Sequence, residues 1–457
     1  MSARVLIVAP CSAQPDVFGA ASRQFSVGAM ILGAKLKGAG FNVRIIDESV
    51  LGRRIGDSDM DADWLCLTLM TPTAPRGYEI ADRFRSRNPR GRVAIGGIHP
   101  SLLPDECVPR ADVVVQGEAE EVIVDLLRSG SSEKLVQGAR LEDLDSIPLM
   151  DYSLLEGAER VRFVPLITSR GCPFNCAFCS CTSMFGHKHR RQSGPRVIEE
   201  LKRVPEGAFV TFSDDNLLED RARFDAILNF LVSDNRRRKW SCSARVTQIH
   251  DESLAEKMAA AGCMNVTMGI EALDSEALEG MNKKQSPDDI RKAVRILRKH
   301  NIPVTGMFIF GWDSHSRRVF DDVARFCDAE RLTTFVFWIL TPLPCTRVRN
   351  EMESAGRILT NDWRWYDLQH AVFKPKQMSQ AELQSGMLDA YSRLAGTGSM
   401  LSCAFGFFSD IAENGLSARA ALARTIGRLR FRLGLRNVMN QWKENNGVFL
   451  ESMAGWS

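Results

Sequence analysis

The sequence predicts an α/β protein built from two parallel β-sheets and followed by a helical C-terminal region. Short apolar runs rich in β-branched residues alternate with helical patterns, first in residues 4–130 and again from Phe163 to Leu340. Strands separated by helices of about 10–15 residues indicate βαβ units, whose strands lie parallel. The length of 457 residues also indicates more than one domain, because a domain usually takes about 100–200 residues.

The first series of strands predicts a doubly wound sheet over residues 1–135, with residues 136–160 as a linker. Its strands are expected at Val5–Ala9, Val43–Asp47, Trp64–Leu69, Val93–Ile95 and Val113–Val115. Such sheets bind ligands beyond the carboxyl ends of their strands. The candidate binding residues at those ends are Thr71, Gly96, Gly97, Gly117 and Glu118. Paired glycines would let the backbone approach a large planar or phosphate-bearing ligand.

The second series predicts a partial (β/α)6 barrel over residues 161–375. Its strands are expected at Phe163–Thr168, Phe209–Ser213, Trp240–Ala244, Asn265–Gly269, Val304–Phe310 and Thr333–Leu340. In such barrels the functional groups lie at the carboxyl ends of the strands. Residues 376–457 show helical patterns and no motif, so this region is expected to be helical.

Composition argues against a nucleic-acid-binding or membrane-spanning protein. The net charge of +3 is small for this length, so no large surface for a polyanion is expected. No apolar run approaches the about 18 residues that a membrane span needs, and Val5–Ala9 is too short for the core of a signal peptide. These features predict a cytoplasmic protein whose cysteines are thiols or metal ligands.

Four of the twelve cysteines fall within ten residues, directly after the first strand of the second series. They are Cys172, Cys176, Cys179 and Cys181, and Phe178 precedes the third. Three thiolates in one loop can hold three irons of a cubane cluster and leave the fourth iron open, whereas electron-carrier clusters use four thiolates. The alternatives are structural zinc with Cys181 as a fourth ligand and plain buried thiols.

The C-x3-C-x2-C spacing, with Phe178 before its third cysteine, resembles the signature of the radical S-adenosylmethionine (SAM) superfamily. The resemblance implies a 4Fe–4S cluster on Cys172, Cys176 and Cys179 whose open iron binds SAM. It also implies that an electron cleaves SAM to a 5′-deoxyadenosyl radical. A flavodoxin- or ferredoxin-like protein would supply that electron.

The same resemblance assigns SAM contacts to residues in the cysteine loop and at successive strand ends: Phe178, Ser213, Asp215, Ser243, Arg245 and Glu271. A carboxylate such as Asp215 suits the SAM ammonium, and the fork of Arg245 suits the SAM carboxylate. Glu271 would bind ribose hydroxyls. Each alone is an ordinary polar group at a strand end, but their order along the chain matches the family.

The first sheet resembles the cobalamin-binding domain that precedes many radical SAM enzymes. The segments Gly96-Gly-Ile-His-Pro100 and Gly117-Glu-Ala-Glu120 carry this resemblance, which implies that cobalamin contacts Thr71, Gly96, Gly97, Gly117 and Glu118. The D-x-H-x-x-G motif is absent and no histidine occurs in the first 98 residues, so a histidine cobalt ligand from the first loops is excluded. A domain that binds no cobalamin is the alternative.

Together these resemblances imply a cobalamin-dependent radical SAM methyltransferase acting on an unactivated carbon of a small-molecule or lipid substrate. One SAM would generate the radical that abstracts hydrogen, and methylcobalamin would deliver the methyl group. One alternative is a cyclase, oxidase or carbon–carbon coupling enzyme that transfers no methyl group. Another, of a different class, is a non-catalytic Fe–S or zinc protein.

Two further features have no assigned role. Cys345 stands where a similar sixth-strand motif usually has glycine, and is either a hydrogen donor to the substrate or a tolerated substitution. The arginine-rich helix predicted over Leu416–Arg436 also carries Leu422, Ile426, Leu429 and Leu433. It is interpreted as the solvated face of a packed helix, as a peripheral membrane contact, or as a contact for an acidic partner.

Overall fold

The computed structural model describes residues 2–12, 24–130, 133–414 and 416–453, without the side chains of residues 413 and 414. It confirms the predicted α/β class, with two six-stranded parallel sheets and a helical C-terminal region. No helix in these ranges combines the length and apolar character needed to span a lipid bilayer.

The first sheet has the strand order β2-β1-β3-β4-β5-β6. Its strands are β1 Arg4–Ala9, β2 Asn42–Asp47, β3 Trp64–Thr68, β4 Arg92–Gly96, β5 Val113–Gln116 and β6 Leu135–Gln137. The helices that accompany them are α1 Val27–Gly38, α2 Glu48–Leu51, α3 Ala74–Arg87, α4 Ile98–Leu102, α5 Pro104–Cys107 and α6 Ile123–Ser129. Five of these strands were predicted as buried apolar runs. Parallel strands that are covered on both faces form such runs because side chains on both faces are buried. The sixth strand, β6, was not predicted.

The second sheet is a curled half-barrel with the order β7-β10-β11-β12-β13-β14. Its strands are β7 Phe163–Leu166, β10 Phe209–Phe212, β11 Trp240–Arg245, β12 Cys263–Glu271, β13 Val304–Phe310 and β14 Thr334–Ile339, and a short antiparallel pair, β8 Ser169–Arg170 and β9 Arg190–Arg191, follows β7. The helices are α7 Cys181–Phe185, α8 Gly194–Arg203, α9 Arg221–Ser233, α10 Glu252–Ala260, α11 Ser275–Gly280, α12 Pro287–Lys299, α13 Arg318–Ala329 and α14 Arg347–Ser354. The strands β7 and β14 form its two edges, so the expected barrel is partial rather than closed.

Alternating side chains divide the half-barrel into a packed outer face and an open inner face. Phe310 packs its ring 4.9 Å from that of Phe320 on the surrounding helix α13. On the inner face, the hydroxyl of Thr305 donates to the side-chain oxygen of Asn265 at 3.0 Å. The apolar outer face buries the sheet against helices, and the inner face is left to line a cleft.

The C-terminal region contains four helices, α15 Gln380–Leu394, α16 Thr397–Asn414, α17 Ala418–Asn445 and α18 Gly447–Met453. Helix α15 covers the open edge of the half-barrel, where the hydroxyl of Tyr391 accepts a hydrogen bond from the Phe337 amide of β14 at 2.8 Å. This contact satisfies a backbone donor that an edge strand would otherwise leave unpaired.

Helix α17 has only part of the solvated arginine face that one interpretation of its sequence expected, because three of its six arginines are exposed and three are buried. Arg424, Arg428 and Arg432 are buried, whereas Leu422 and Leu433 are exposed. The reason is that acidic partners lie beneath the helix: Asp410 accepts from Arg428, and Asp328 accepts from Arg432.

Candidate active site

The carboxyl ends of the two sheets face one another across a cleft. The thiol of Cys345, after β14, lies 3.5 Å from the carbonyl oxygen of Leu102 in α4. The indole of Trp363 donates to Glu106 of α5 at 2.8 Å. Because both sheets place their strand ends at this cleft, it is where ligands of both domains would meet.

The cysteine loop leaves the carboxyl end of β7 and is fixed by its neighbours on several sides. Asp214, at the end of β10, is buried and accepts hydrogen bonds from the Thr168 amide and hydroxyl, both at 2.9 Å. The Ala177 amide donates to the Met281 carbonyl at 3.0 Å. Gly171 has a φ of 83°, and a Cβ there would lie 2.4 Å from the Lys188 carbonyl oxygen, so only glycine fits.

The three candidate iron ligands lie partly exposed in this loop, while Cys181 is buried beside them. A hydrogen bond from the Cys181 thiol lowers the pKa of Cys179 to about 7, whereas burial raises the pKa of Cys172. Within the described ranges no three cysteine, histidine or acidic side chains are already arranged around a metal-sized point. Three accessible thiols in a loop, one favouring its thiolate form, nonetheless suit a cluster that is held on one side only.

Arg245, at the end of β11, lies directly against the cysteine loop. Its guanidinium stacks 3.6 Å from the centre of the Phe174 ring, and its Nη1 atom is 3.7 Å from the sulfur of Cys176. The buried Nε atom has no hydrogen-bond partner among the residues that the structure describes. A guanidinium placed beside a ligand thiol with one donor unused could bind a carboxylate there.

Glu271, at the end of β12, lies close to the same loop. Its Oε1 atom accepts from the Lys283 ammonium at 2.6 Å, and its buried Oε2 atom has no hydrogen-bond partner in the described part of the chain. Glu271 has a φ of 64°, a backbone conformation that costs free energy and often marks a functional position. The ammonium of Lys283 also lies 5.9 Å from the centre of the Phe178 ring. This arrangement brings Phe178, Arg245 and Glu271 together on one side of the loop.

The remaining predicted SAM residues are more dispersed. Asp215 is exposed and contacts the thiol of Cys181. Ser243 is exposed on the inner face of the half-barrel. Ser213 is half-buried and its hydroxyl contacts only the Thr211 carbonyl, at 3.5 Å. All three face the cleft, and their roles stay predictions.

At the first sheet, two of the predicted glycines are required by the packing of the backbone itself. Gly97 has a φ of 106°, and a Cβ there would lie 2.7 Å from the backbone of Leu69. Gly117 has a φ of 96°, and a Cβ there would lie 3.1 Å from the Gly138 oxygen. The nearest atom to a Cβ on Gly96 is 3.9 Å away, so Gly96 has room for an approaching ligand. Thr71 is buried where the β3 loop turns into α3.

Glu118 joins the first sheet to the cysteine loop. Its Oε2 atom accepts from Arg170 at 2.6 Å and from Arg190 at 3.0 Å, and these arginines belong to β8 and β9. Glu120 pairs with Arg170 as well. Since the carboxylate of Glu118 is fully engaged and buried, a contact between Glu118 and a corrinoid would have to use its backbone.

Sequence reasoning missed Lys283, Arg170 and Arg190. Lys283 lies in a loop without any periodic pattern, between Asn282 and Lys284, both at positive φ. The two arginines are important because they pair with Glu118 and Glu120, which lie about 50–70 positions earlier in the chain. Their own segment of the sequence does not reveal these partners.

Two family models match the chain: one described as the Radical SAM superfamily, over residues 166–327, and one described as the B12 binding domain, over residues 17–127. The chain is 28% identical over 369 residues to the bacteriochlorophyllide d C-12(1)-methyltransferase of Chlorobaculum tepidum, covering 78% of this chain and 79% of that protein. It is 30% identical over 363 residues to an uncharacterized methyltransferase of Pyrococcus horikoshii, covering 72% of this chain and 78% of that protein.

Among solved structures, the chain is similar to the cobalamin-dependent S-adenosylmethionine radical enzyme OxsB with aqua-cobalamin and S-adenosylmethionine bound. The TM-score is 0.70 at 14% identity, covering 99% of this chain and 80% of that one. At this identity the similarity establishes a shared fold, which extends over both sheets and the C-terminal helices.

Proposed function

Because this chain belongs to the radical SAM superfamily, in the group with a B12-binding domain ahead of the radical SAM domain, we propose that it methylates a carbon atom of an apolar, ring-containing small molecule. The chain is an enzyme whose cofactors are a 4Fe–4S cluster, SAM and cobalamin. The observation that carries the proposal is the shared cleft: the strand ends that would bind cobalamin and those that would bind the cluster and SAM face each other.

The residues at the cleft fit these cofactors. Cys172, Cys176 and Cys179 would hold the cluster, and Arg245 and Glu271 would orient SAM through the polar atoms they leave unpaired. When bound, the cofactors supply a hydrogen-abstracting radical and a methyl group for transfer. The protein's own part is to fix the two sites at one distance from a common substrate and to exclude water from them.

Glu271→Gln is expected to raise the dissociation constant of SAM about tenfold or more, since a hydrogen bond to a charged group contributes roughly 1.5–3 kcal/mol. The measurement is SAM binding to the anaerobically reconstituted protein, with iron and corrinoid content determined in parallel. Glu276→Gln, an exposed carboxylate of α11 on the same connection, is the control and should bind SAM normally. Equal SAM affinity in the two variants would show that the Glu271 carboxylate does not contribute to SAM binding.

An apolar substrate is supported by the inner face of the half-barrel near its open edge. Met307, Val336 and Trp338 lie there, half-buried, on β13 and β14. Such side chains suit a flat, apolar ring system. The relative from Chlorobaculum tepidum acts on a bacteriochlorophyllide, so a tetrapyrrole is the first substrate class to test, and a polycyclic lipid is the second.

The test is an anaerobic reaction with SAM carrying a deuterated methyl group, cobalamin, a strong reductant and a chlorophyllide-type tetrapyrrole. The expected product gains one labelled methyl group, and 5′-deoxyadenosine forms alongside it. A product that gains no methyl group but changes in hydrogen content would instead identify a cyclase or oxidase. If neither product nor deoxyadenosine forms with either substrate class, the proposed substrates are wrong.

Two partners complete the proposal. A flavodoxin- or ferredoxin-like protein would deliver the electron that SAM cleavage requires, because radical formation is reductive. A peripheral membrane contact is proposed on separate grounds, the surface of the last long helices.

A further inference from the structure

Helices α16 and α17 carry a concentrated apolar surface. In the described part of the chain, eleven large apolar side chains are exposed, and six of them lie on these two helices. They are Leu401, Phe405 and Phe408 on α16, and Leu422, Ile426 and Leu433 on α17. Phe405 is 69% exposed and Phe408 is 66% exposed. Single exposed apolar residues are ordinary, but six of them on two neighbouring helices are typical of an interaction site.

The spacing shows that each helix presents one continuous face. Leu401, Phe405 and Phe408 are four and three residues apart, which places them on one side of α16. The residues of α17 that face the protein, among them Ala421, Arg428 and Leu435, fall on its opposite side. The two helices pack against each other, so their exposed faces belong to one two-helix layer.

Buried ion pairs hold this layer in its orientation. Arg428 donates to the fully buried Asp410 of α16 at 2.8 Å, and Arg432 pairs with Asp328 of α13. Rotating α17 to bury its leucines would break these pairs and leave the buried Asp410 with the longer contact to Arg331, at 3.8 Å, which costs free energy in a dry interior. The apolar residues are therefore held outward by the charges beneath them.

The exposed charges beside the apolar face are basic, and the exposed acidic side chain of α17, Glu444, lies eleven residues beyond Leu433 near the end of the helix. Arg419, Arg430 and Arg436 are exposed on α17. Asp410 is the only acidic residue between Thr397 and Ala412 or between Ser417 and Lys443, and it is buried. Two copies of the chain meeting through this face would oppose their arginines, whereas an anionic surface would complement them.

We propose that the face formed by Leu401, Phe405, Phe408, Leu422, Ile426 and Leu433, with Arg419 and Arg430, docks the enzyme on an anionic lipid bilayer. The aromatic and aliphatic side chains enter the boundary between headgroups and acyl chains. The arginines reach the lipid phosphates while their stems stay against apolar surface. This is a surface contact that needs no membrane-spanning helix and does not depend on which substrate the active site takes.

The test is cosedimentation of the reconstituted full-length protein with vesicles of phosphatidylcholine alone or mixed with phosphatidylglycerol. Binding is expected only to the mixed vesicles and should weaken with salt. The double variant Phe405→Ser, Phe408→Ser should weaken it about tenfold or more, and Arg419→Gln with Arg430→Gln should weaken it by a similar factor. Val232→Ser, an apolar residue of α9 that is 53% exposed, is the matched control and should bind like the parent protein.

Three outcomes would overturn the proposal. The first is no binding to mixed vesicles by a protein with normal circular dichroism and iron content. The second is equal binding to both kinds of vesicle, which would remove the role of the arginines. The third is a concentration-dependent dimer in sedimentation velocity that the Phe405→Ser, Phe408→Ser variant abolishes without vesicle binding, which would assign the face to a second copy.

Discussion

Replacing Cys176 with alanine is expected to abolish SAM cleavage while leaving the B12-binding domain intact. Removing a ligand thiolate should lower SAM cleavage by more than the about 10–100-fold loss of activity that is typical of removing a group that only hydrogen-bonds to a metal ligand. Iron and sulfide per protein, and 5′-deoxyadenosine formed after reduction, are the quantities to measure. Corrinoid bound per protein should be unchanged, because the residues proposed to bind the corrinoid lie in the first sheet and none of them is a proposed iron ligand.

The matched control is Cys181→Ser, two residues beyond the last proposed iron ligand. Cys181 is buried and its thiol contacts Cys179 and Asp215. A serine there can keep a hydrogen bond to Cys179 but supplies no thiolate, so the variant should still hold a cluster on the other three thiols. Loss of bound metal in Cys181→Ser as severe as that in Cys176→Ala would favour the four-cysteine zinc site instead. A full iron content in Cys176→Ala would refute the assigned ligand set.

The sequence was most informative where a signal is local. The three candidate ligand cysteines, the strands buried on both faces and the polar residues at strand ends each occupy a few consecutive positions, so their patterns are visible in the sequence. The half-barrel and its strand ends followed from the same periodic signal. By contrast, β6 and the β8–β9 pair have two or three residues each, too few for any period to show.

Features that depend on distant partners could not be predicted. The sequence of α17 shows apolar positions between arginines, but Arg428 and Arg432 turn inward to pair with Asp410 and Asp328, and several apolar residues of the helix are left exposed. Lys283 gains its role only because the chain folds it against Glu271. Charge pairing in a core overrides the usual rule that apolar residues face inward, and a single sequence does not reveal such pairs.

The pairing of Glu118 with two arginines leads to the second large expected effect. Glu118, Arg170 and Arg190 are all nearly or fully buried, and although burial alone raises the pKa of Glu118, the arginines hold that pKa below its usual value. Glu118→Gln leaves two buried cations facing Glu120 alone, so the free energy of unfolding should fall by about 3–5 kcal/mol. Arg170 directly precedes Gly171 and Cys172, so the cysteine loop should also retain less iron.

The measurement is urea unfolding of Glu118→Gln beside Glu121→Gln, whose exposed pair with Lys35 should contribute no more than about 1 kcal/mol. Because the pKa of Glu118 is lowered on folding, its stabilisation is present above the unfolded pKa of about 4.3 and is lost as pH falls below it. The difference between the parent protein and Glu118→Gln should therefore shrink in acid, while Glu121→Gln stays close to the parent throughout. Equal stability of the two variants at neutral pH would mean that water, rather than Glu118, solvates Arg170 and Arg190. The ion pairs of Glu118 would then not stabilise the contact between the two sheets.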